Sequence, residues 1–400
     1  MLIMFAFFVV VLILFVGLGI DLGFAYVTKA NLAKAVDAAC LIGANNLFQG
    51  DNQAKAVARS AFAANYGRPG RYTAQVTPNV AVNVDASNNK IIDVSATATI
   101  NTFFIRLIPT WQTLNVTASA QATRAKLIMT LVLDRSGSME NNGGADAMPG
   151  AVTSFINFFD DNNDRVALAT FASHARVDVT MRQPFKQPII NAVNAIFPSQ
   201  VEGGTFSQGG LTNGLVLNNS VVTLPGENVV RVCVFFTDGL ANIIRDSLYC
   251  RGVSNPPTDW NFGGFDSGST VGFFNPTNGV ENTGCRTSGG NPTCCSAVSG
   301  FRSAISGTTR SFTRANVTAD AEYRAVQVAN DMRAAGMIVY SIGLGSNINR
   351  DFLQQIANDP DLPGHVGTPY DGEAVFAPTA ADLRAVFEII AAKIRLRLTR

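Results

Sequence analysis

The chain is poor in charge. Asp, Glu, Lys and Arg make up only 15% of its 400 residues, and 30 basic side chains offset 29 acidic ones. That balance exerts no global pull on nucleic acid. With 47% hydrophobic residues it also argues against a disordered chain. Histidine is scarcer still: His174 and His365 stand far apart in sequence, and neither neighbours a plausible nucleophile. No C-x-x-C, G-x-x-x-x-G-K-[ST], H-E-x-x-H or G-x-S-x-G occurs. The phosphate-binding loop, the zinc-protease helix and the nucleophile elbow are therefore missing, and an enzyme is not expected.

Charge is absent altogether from Met1 to Ile20. A helix of that length rises roughly 30 Å, enough to cross a hydrocarbon layer. Apolar residues continue past Asp21 to Val27. A cleavable signal peptide is the alternative, but the run lacks a basic leader, exceeds a usual signal core and has no clear A-x-A site directly after it. The expectation is an uncleaved transmembrane anchor over residues 1–27. Gly19 and Gly23 form a G-x-x-x-G pair, a weak signal for a second helix.

Two features disagree about orientation. Lys29 and Lys34 follow the span and nothing basic precedes it, which would leave the C-terminal mass in the cytoplasm. Cysteine usage points outward. Cys250, Cys285, Cys294 and Cys295 lie in a stretch rich in Gly, Ser, Asn and Thr. Clustered cysteines in loose polar segments are normally disulfide-bonded, which needs an oxidising compartment. A zinc site competes, with little histidine to support it. The adjacent Cys294 and Cys295 are expected to bond to different partners. Cys233, in an apolar run, is expected to be a buried free thiol. The cysteines are given the greater weight.

Residues 28–125 read as a separate membrane-proximal module. Ala30 to Leu47 and Asp51 to Tyr66 are helical in pattern, and Gly67, Pro69 and Gly70 end the second stretch. The period then becomes two: Val80, Val82 and Val84, then Ile92 to Ile100, then Leu114 to Ala120 alternate with polar or small residues. A helix followed by a small antiparallel sheet fits, with no residue pattern that carries chemistry. The runs Gly19-Ile-Asp-Leu-Gly-Phe-Ala-Tyr-Val and Ala30-Asn-Leu-Ala-Lys-Ala-Val-Asp-Ala-Ala resemble the start of TadE/TadG-like Flp-pilus assembly proteins. That resemblance covers roughly the first 50 residues. It implies an anchor in a bacterial inner membrane, with the C-terminal mass in the periplasm or outside, and often a von Willebrand A domain behind the anchor.

From Lys126 to residue 400 the texture is that of an α/β fold. Leu127 to Leu133 is a continuous apolar run, as expected of a strand buried on both faces. Further strands are expected at Val166 to Phe171, Val229 to Phe236 and Met337 to Ile342. Helices are expected at Ala147 to Phe159, Pro188 to Phe197, Leu211 to Leu217, Ala319 to Ala335 and Ala380 to Leu396. Alternation of this kind predicts a doubly wound, mostly parallel sheet, whose ligands sit beyond the carboxyl ends of the strands.

Those ends hold the informative residues. Asp134, Ser136 and Ser138 alternate just past the first strand, so an extended loop turns three oxygens the same way. Asp238, in Thr237-Asp-Gly239, ends a second strand, and Gly203-Gly-Thr205 opens a segment before a helix. Carboxylates and hydroxyls suit a hard divalent cation. The set resembles the metal-ion-dependent adhesion site of von Willebrand A domains. By that resemblance Asp134, Ser136, Ser138, Thr205 and Asp238 hold the metal directly or through water. Mg²⁺ is expected first, then Mn²⁺ or Ca²⁺. An open position on the metal would take an acidic side chain from a protein partner.

The segment from Asn242 to Thr318 is a long insertion leaving the sheet on the metal's edge, expected to be functional or disulfide-built. Trp260, Phe262, Phe265, Phe273 and Phe274 are either interface anchors or the insertion's own core. The function expected is a membrane-anchored, metal-dependent binding protein in pilus biogenesis or surface attachment, with pilus or envelope components as partners. The alternatives are a passive scaffold whose ion only stabilises loops, or a non-catalytic subunit of a metal-dependent enzyme complex.

Overall fold

The computed structural model describes residues 2–67, 75–107, 111–247, 259–264, 271–288, 291–292 and 300–398. The chain divides into two compact units. One comprises Met1–Ala125, Leu224–Asn228 and Arg395–Arg400; the other comprises Lys126–Thr223 and Val229–Ile394.

In the first unit the apolar run and the alanine-rich stretch form one unbroken helix, α1 (Leu2–Asn45). It is long and apolar enough to cross a membrane. Nothing between Val27 and Ala30 breaks helix, so the pattern gives no reason to stop at the end of the apolar run. The helix α2 (Asp51–Tyr66) buries Ala54, Ala58, Ala61 and Phe62, one stripe at helical spacing. Strands β1 (Asn79–Val84), β2 (Lys90–Asn101) and β3 (Thr113–Arg124) form an antiparallel sheet in that order. Its inward residues Ile92, Val94, Ala96, Ala98 and Ile100 share a core with Leu32, Val36, Ala39 and Ala44 of α1. Small residues on both sides permit the approach: a Cβ on Gly43 would stand 2.5 Å from Ile92 Cδ1. Cys40 is buried here as a free thiol donating to the Ile92 carbonyl at 3.3 Å.

The second unit starts with β4 (Lys126–Asp134) and then α3 (Ser138–Asn141) and α4 (Gly144–Ile156). Next come β5 (Arg165–Phe171), β6 (Ala175–Arg182), α5 (Lys186–Ile196), α6 (Ser207–Asn219) and β7 (Val229–Thr237). The insertion supplies β8 (Ile243–Ser247), β9 (Asp259–Gly264), β10 (Val271–Phe274), β11 (Glu281–Ser288), β12 (Asn291–Pro292), β13 (Phe301–Arg302) and β14 (Thr309–Arg310). The chain closes through α7 (Arg314–Ala334), β15 (Met337–Leu344), α8 (Arg350–Ala357), β16 (Ala374–Ala377) and α9 (Leu383–Leu398).

The main sheet runs β16-β15-β7-β4-β5-β6. All its pairs are parallel except β5 with β6. Successive phenylalanines of β7 serve opposite faces. Phe235 stacks on Phe171 at 5.5 Å and Phe236 on Phe387 of α9 at 6.2 Å, as period two requires. On the Phe235 side α6 sits very close to β4, because Gly214 presents no side chain where a Cβ would come within 2.9 Å of Val132. Cys233 is a buried free thiol, and burial pushes its pKa up to about 12.

The insertion is not a loose loop. Strands β8 to β12 form a five-stranded antiparallel sheet, and β13 pairs with β14. Residues from Arg314 already belong to α7, where Thr313 caps the helix by accepting from Asn316 N. Trp260, Phe262, Phe273 and Phe274 are buried, so they act as core and not as exposed anchors. Phe262 meets Phe273, Phe301 and Phe312 with ring centres 5.2–5.8 Å apart. An apolar centre of this kind gives the segment a core of its own. Phe265, Cys250, Cys294, Cys295 and the Cys285 side chain lie outside the described residues, and with them the expected disulfides.

Candidate metal site

The site forms where β4 and β7 end side by side. Parallel pairing sets Leu133 opposite Phe236, so Asp134 and Thr237 leave the sheet together. The register explains the first contact: Thr237 Oγ1 donates to Asp134 Oδ2 at 2.5 Å. The other oxygen, Oδ1, accepts from Ser136 N at 2.7 Å and curls the loop. Ser136 Oγ and Ser138 Oγ stand 3.1 Å apart, and Ser138 Oγ donates to Asp238 Oδ1 at 2.6 Å. Asn142 Nδ2 donates to Asp238 Oδ2 at 2.8 Å.

Thr205 reaches this cluster by a separate route. Gly137 N donates to Gly203 O at 3.1 Å, and Phe206 N to Ala172 O at 2.8 Å, which ties the 203–206 segment to the loops after β4 and β5. Gly203 has φ 68°, and a Cβ there would fall 2.2 Å from Ser173 Oγ, so no other residue fits without displacing Ser173. Asn242 Oδ1 accepts from Thr205 N at 2.8 Å, which orients the threonine. A Cβ on Gly239 would stand 3.3 Å from Ser138 Oγ and 3.9 Å from Thr205 Oγ1. The bare backbone of Gly239 thus keeps the space between two hydroxyls clear. Asp134, Ser136, Ser138, Thr205 and Asp238 all lie at this one rim.

Electrostatics distinguishes the cluster from an ordinary polar turn. Asp134, Ser136, Thr205 and Asp238 are buried. Burial, and then the charge of Asp238, pushes the Asp134 carboxyl up to about 7. Asp238 is raised as well, chiefly by burial. Two buried carboxylates facing each other call for a cation. The donors are all oxygen, so the residues present fit a hard divalent ion of the Mg²⁺ class. Among the described residues no group of three His, Cys, Asp or Glu suits a metal. The site here has a different composition: three of its five oxygen-bearing side chains belong to Ser and Thr.

Several contributors escape sequence reasoning. Asn142, Thr237 and Asn242 orient the acidic and hydroxyl groups, and Thr237 and Asn242 were legible only as neighbours of Asp238. Arg135, inside the Asp-Arg-Ser-Gly-Ser run, turns away from the cluster and is buried. Its guanidinium lies 3.4 Å from both ring nitrogens of His174, 3.3 Å from Gln200 O and 3.5 Å from Glu202 Oε1. Burial, then Arg135 and Arg176, holds His174 down to about 4, so it stays neutral at pH 7. The other histidine, His365, pairs with Asp371 at 2.9 Å.

Two regions of the chain match known families. Residues 129–248 match the family model of the von Willebrand factor type A domain. Residues 1–46 match that of putative Flp pilus-assembly TadE/G-like proteins. None of the curated proteins matches the chain. Among solved structures, the pilus adhesin SpaC from Lactobacillus rhamnosus GG is 16% identical, with a TM-score of 0.43 over 81% of this chain and 35% of its own. The PilB minor pilin from Streptococcus sanguinis is 16% identical, with a TM-score of 0.43 over 81% of this chain and 79% of its own. Proximal thread matrix protein 1 from the mussel byssus, solved with a zinc-occupied MIDAS motif, is 15% identical, with a TM-score of 0.38 over 69% of this chain and 46% of its own. The chain therefore spans about a third of the length of SpaC.

Proposed function

We propose that this chain, which carries a TadE/G-like region and a von Willebrand factor type A domain, is a membrane-anchored protein that grips an acidic group of a partner through a divalent metal. The partner is a pilus or envelope component, and the setting is pilus assembly or surface attachment at a bacterial inner membrane, with the second unit on the periplasmic side or outside. The chain is not an enzyme in this reading. The observation that carries it is the buried Asp134–Asp238 pair, walled by Ser136, Ser138 and Thr205, whose carboxylates accept from the neutral donors Ser136 N, Thr237 Oγ1, Ser138 Oγ and Asn142 Nδ2.

Mg²⁺ bound by these side chains supplies a positive centre that accepts a carboxylate oxygen. Two carboxylates bound directly would neutralise the ion; with Asp134 direct and Asp238 acting through water, and with Ser136, Ser138 and Thr205 adding neutral oxygens, it would stay electrophilic. Asn142 and Thr237 hold the two carboxylates in place, and Gly239 keeps side-chain bulk out of the cleft. The domain bounds that follow are an anchor at 1–27, a membrane-proximal module at 28–125 and the metal-binding domain at 126–400.

The test is Asp134→Ala in the full-length protein in membranes. Surface attachment or pilus display is scored beside metal-dependent thermal stability. Lost attachment with an intact fold supports binding through the metal. Loss of the fold itself favours the scaffold alternative, in which the ion only ties loops together.

A further inference from the structure

Inside the first unit, a turn packs against the flank of α1. It begins after β2, and the carboxylate of Asp21 holds it. Asp21 accepts from Phe103 N at 2.8 Å, Phe104 N at 2.9 Å and Ile105 N at 2.8 Å. Three backbone donors at the start of the short helical turn Ile105–Leu107 are thereby satisfied within the protein. From that staple the turn runs back along the apolar part of α1. A groove of about 260 Å³ lies between Val11, Leu14, Phe15 and Leu18 on the helix and Phe104 and Trp111 on the turn. Gly17 is the seat: a Cβ there would stand 2.5 Å from Phe104 Cβ. A glycine that weakens a helix is tolerated here because any side chain would push Phe104 away.

The groove walls do not close over. Phe15 is 70% exposed and Trp111 54%, and Leu14, Phe103 and Phe104 are also exposed. Ten residues separate Val11 from Asp21, roughly 15 Å along a helix. The run Met1 to Ile20 rises roughly 30 Å, about the thickness of a hydrocarbon layer. If that run crosses the bilayer, the groove lies in its outer half. Irregular backbone survives at such depth only when its polar groups are paired within the protein, which Asp21 does for three of them. Trp111 and the exposed Arg106 are residue types that favour the boundary between acyl chains and headgroups.

We propose that this groove takes a phospholipid acyl chain, and that Phe103, Phe104 and Trp111 form a wedge sunk into one leaflet beside the membrane helix. The idea rests on the reading of α1 as a membrane helix. The occupant is lipid because, among the described residues, the walls are apolar throughout and continue the exposed apolar flank of that helix. Asp21 is then a staple that fixes how deeply the protein sits, and it does not enter the metal chemistry.

The experiment uses the full chain in phosphatidylcholine vesicles with a minor share of phosphatidylglycerol. Trp111 emission is isolated by subtracting the spectrum of the Trp111→Phe protein, which removes the contribution of the buried Trp260. Lipids brominated near the ester end of the chains should quench most of the Trp111 signal, and aqueous iodide should leave it nearly intact. Failure of the protein to float with the vesicles would overturn both the anchor and the groove. Flotation with iodide quenching and no bromide quenching would overturn the groove alone. Shielding of Trp111 from both quenchers would assign the groove to another protein surface and overturn the lipid.

Discussion

Asp320 and Asp134 are both fully buried carboxylates of the second unit, and the chemistry around them is opposite. Asp320, on α7, accepts from Ser303 Oγ at 2.5 Å and from Ala304 N, and pairs with Arg324 at 2.6 Å. Burial pushes its pKa up, but the bonds from Ser303, Arg324 and Ala304 outweigh that, and the carboxyl ends below its ordinary value. Asp134 has hydroxyls and one N–H for partners and Asp238 as a neighbour, and its pKa rises to about 7. Asp320 is a finished structural joint that pins the β13–β14 hairpin to α7. In the proposed reading, the Asp134–Asp238 pair is completed by a cation. Burial of an acid therefore identifies no function by itself; what decides is whether the surroundings already neutralise it.

The comparison breaks most sharply under substitution. Asp320→Ala strands Arg324 and Ser303 and should destabilise the protein by about 3 kcal/mol, read from denaturant unfolding. Asp134→Asn removes one of two repelling charges, so metal-free protein should melt no lower than wild type. A large drop in its melting temperature would place Asp134 in the same class as Asp320. Next in size is the metal itself. Mg²⁺ at about 100 times its Kd should add about 2.7 kcal/mol to wild type and nothing to Asp134→Asn, with chelation reversing the gain.

A pH series sharpens the contrast further. The folded pKa of Asp134 lies above its unfolded value, so its contribution is fully present at low pH and is lost as pH rises through about 7. Metal-free protein should therefore lose stability between about pH 4 and pH 8 at this site, and the Mg²⁺-induced rise in melting temperature should be larger near pH 8 than near pH 5. Asp320 works in the other direction and loses its contribution in acid. The smallest effect expected is Ser138→Ala, about tenfold weaker Mg²⁺ binding by calorimetry with little change in metal-free stability.

Much of the fold could be read along the chain. The apolar run of β4 and the period-two residues of β1 to β3 announce strands wherever burial is one-sided or complete. Edge elements gave weaker signals. Strand β6 does alternate, with Ala175, Val177, Val179 and Met181 between polar residues, but only Val179 is buried, and β16 has only four residues. The helix α8 depends on its caps: Asn349 Oδ1 accepts from Phe352 N, and Asn358 adopts φ 53°. The insertion looked like loop because glycine and polar residues dominate its composition. Its order comes from a few rings, Phe262, Phe273, Phe301 and Phe312, that only the folded chain gathers.

The candidate ligands themselves were legible, since oxygen side chains at strand ends follow from local pattern. Their supports were not. Nothing local says that Asn142 will face Asp238, that Arg135 will turn toward a neutral His174, or that Ser173 will demand a glycine at 203.

By itself the sequence determined where the main helices and strands form and which residues are candidates to offer oxygen to a cation, because periodicity and side-chain chemistry act over a few residues. Only the tertiary structure decided that β4 lies beside β7, and hence that Asp134 and Asp238, about a hundred residues apart, share one buried spot. Strand order depends on long-range pairing, whose energy is spread across the whole sheet and written in no single segment.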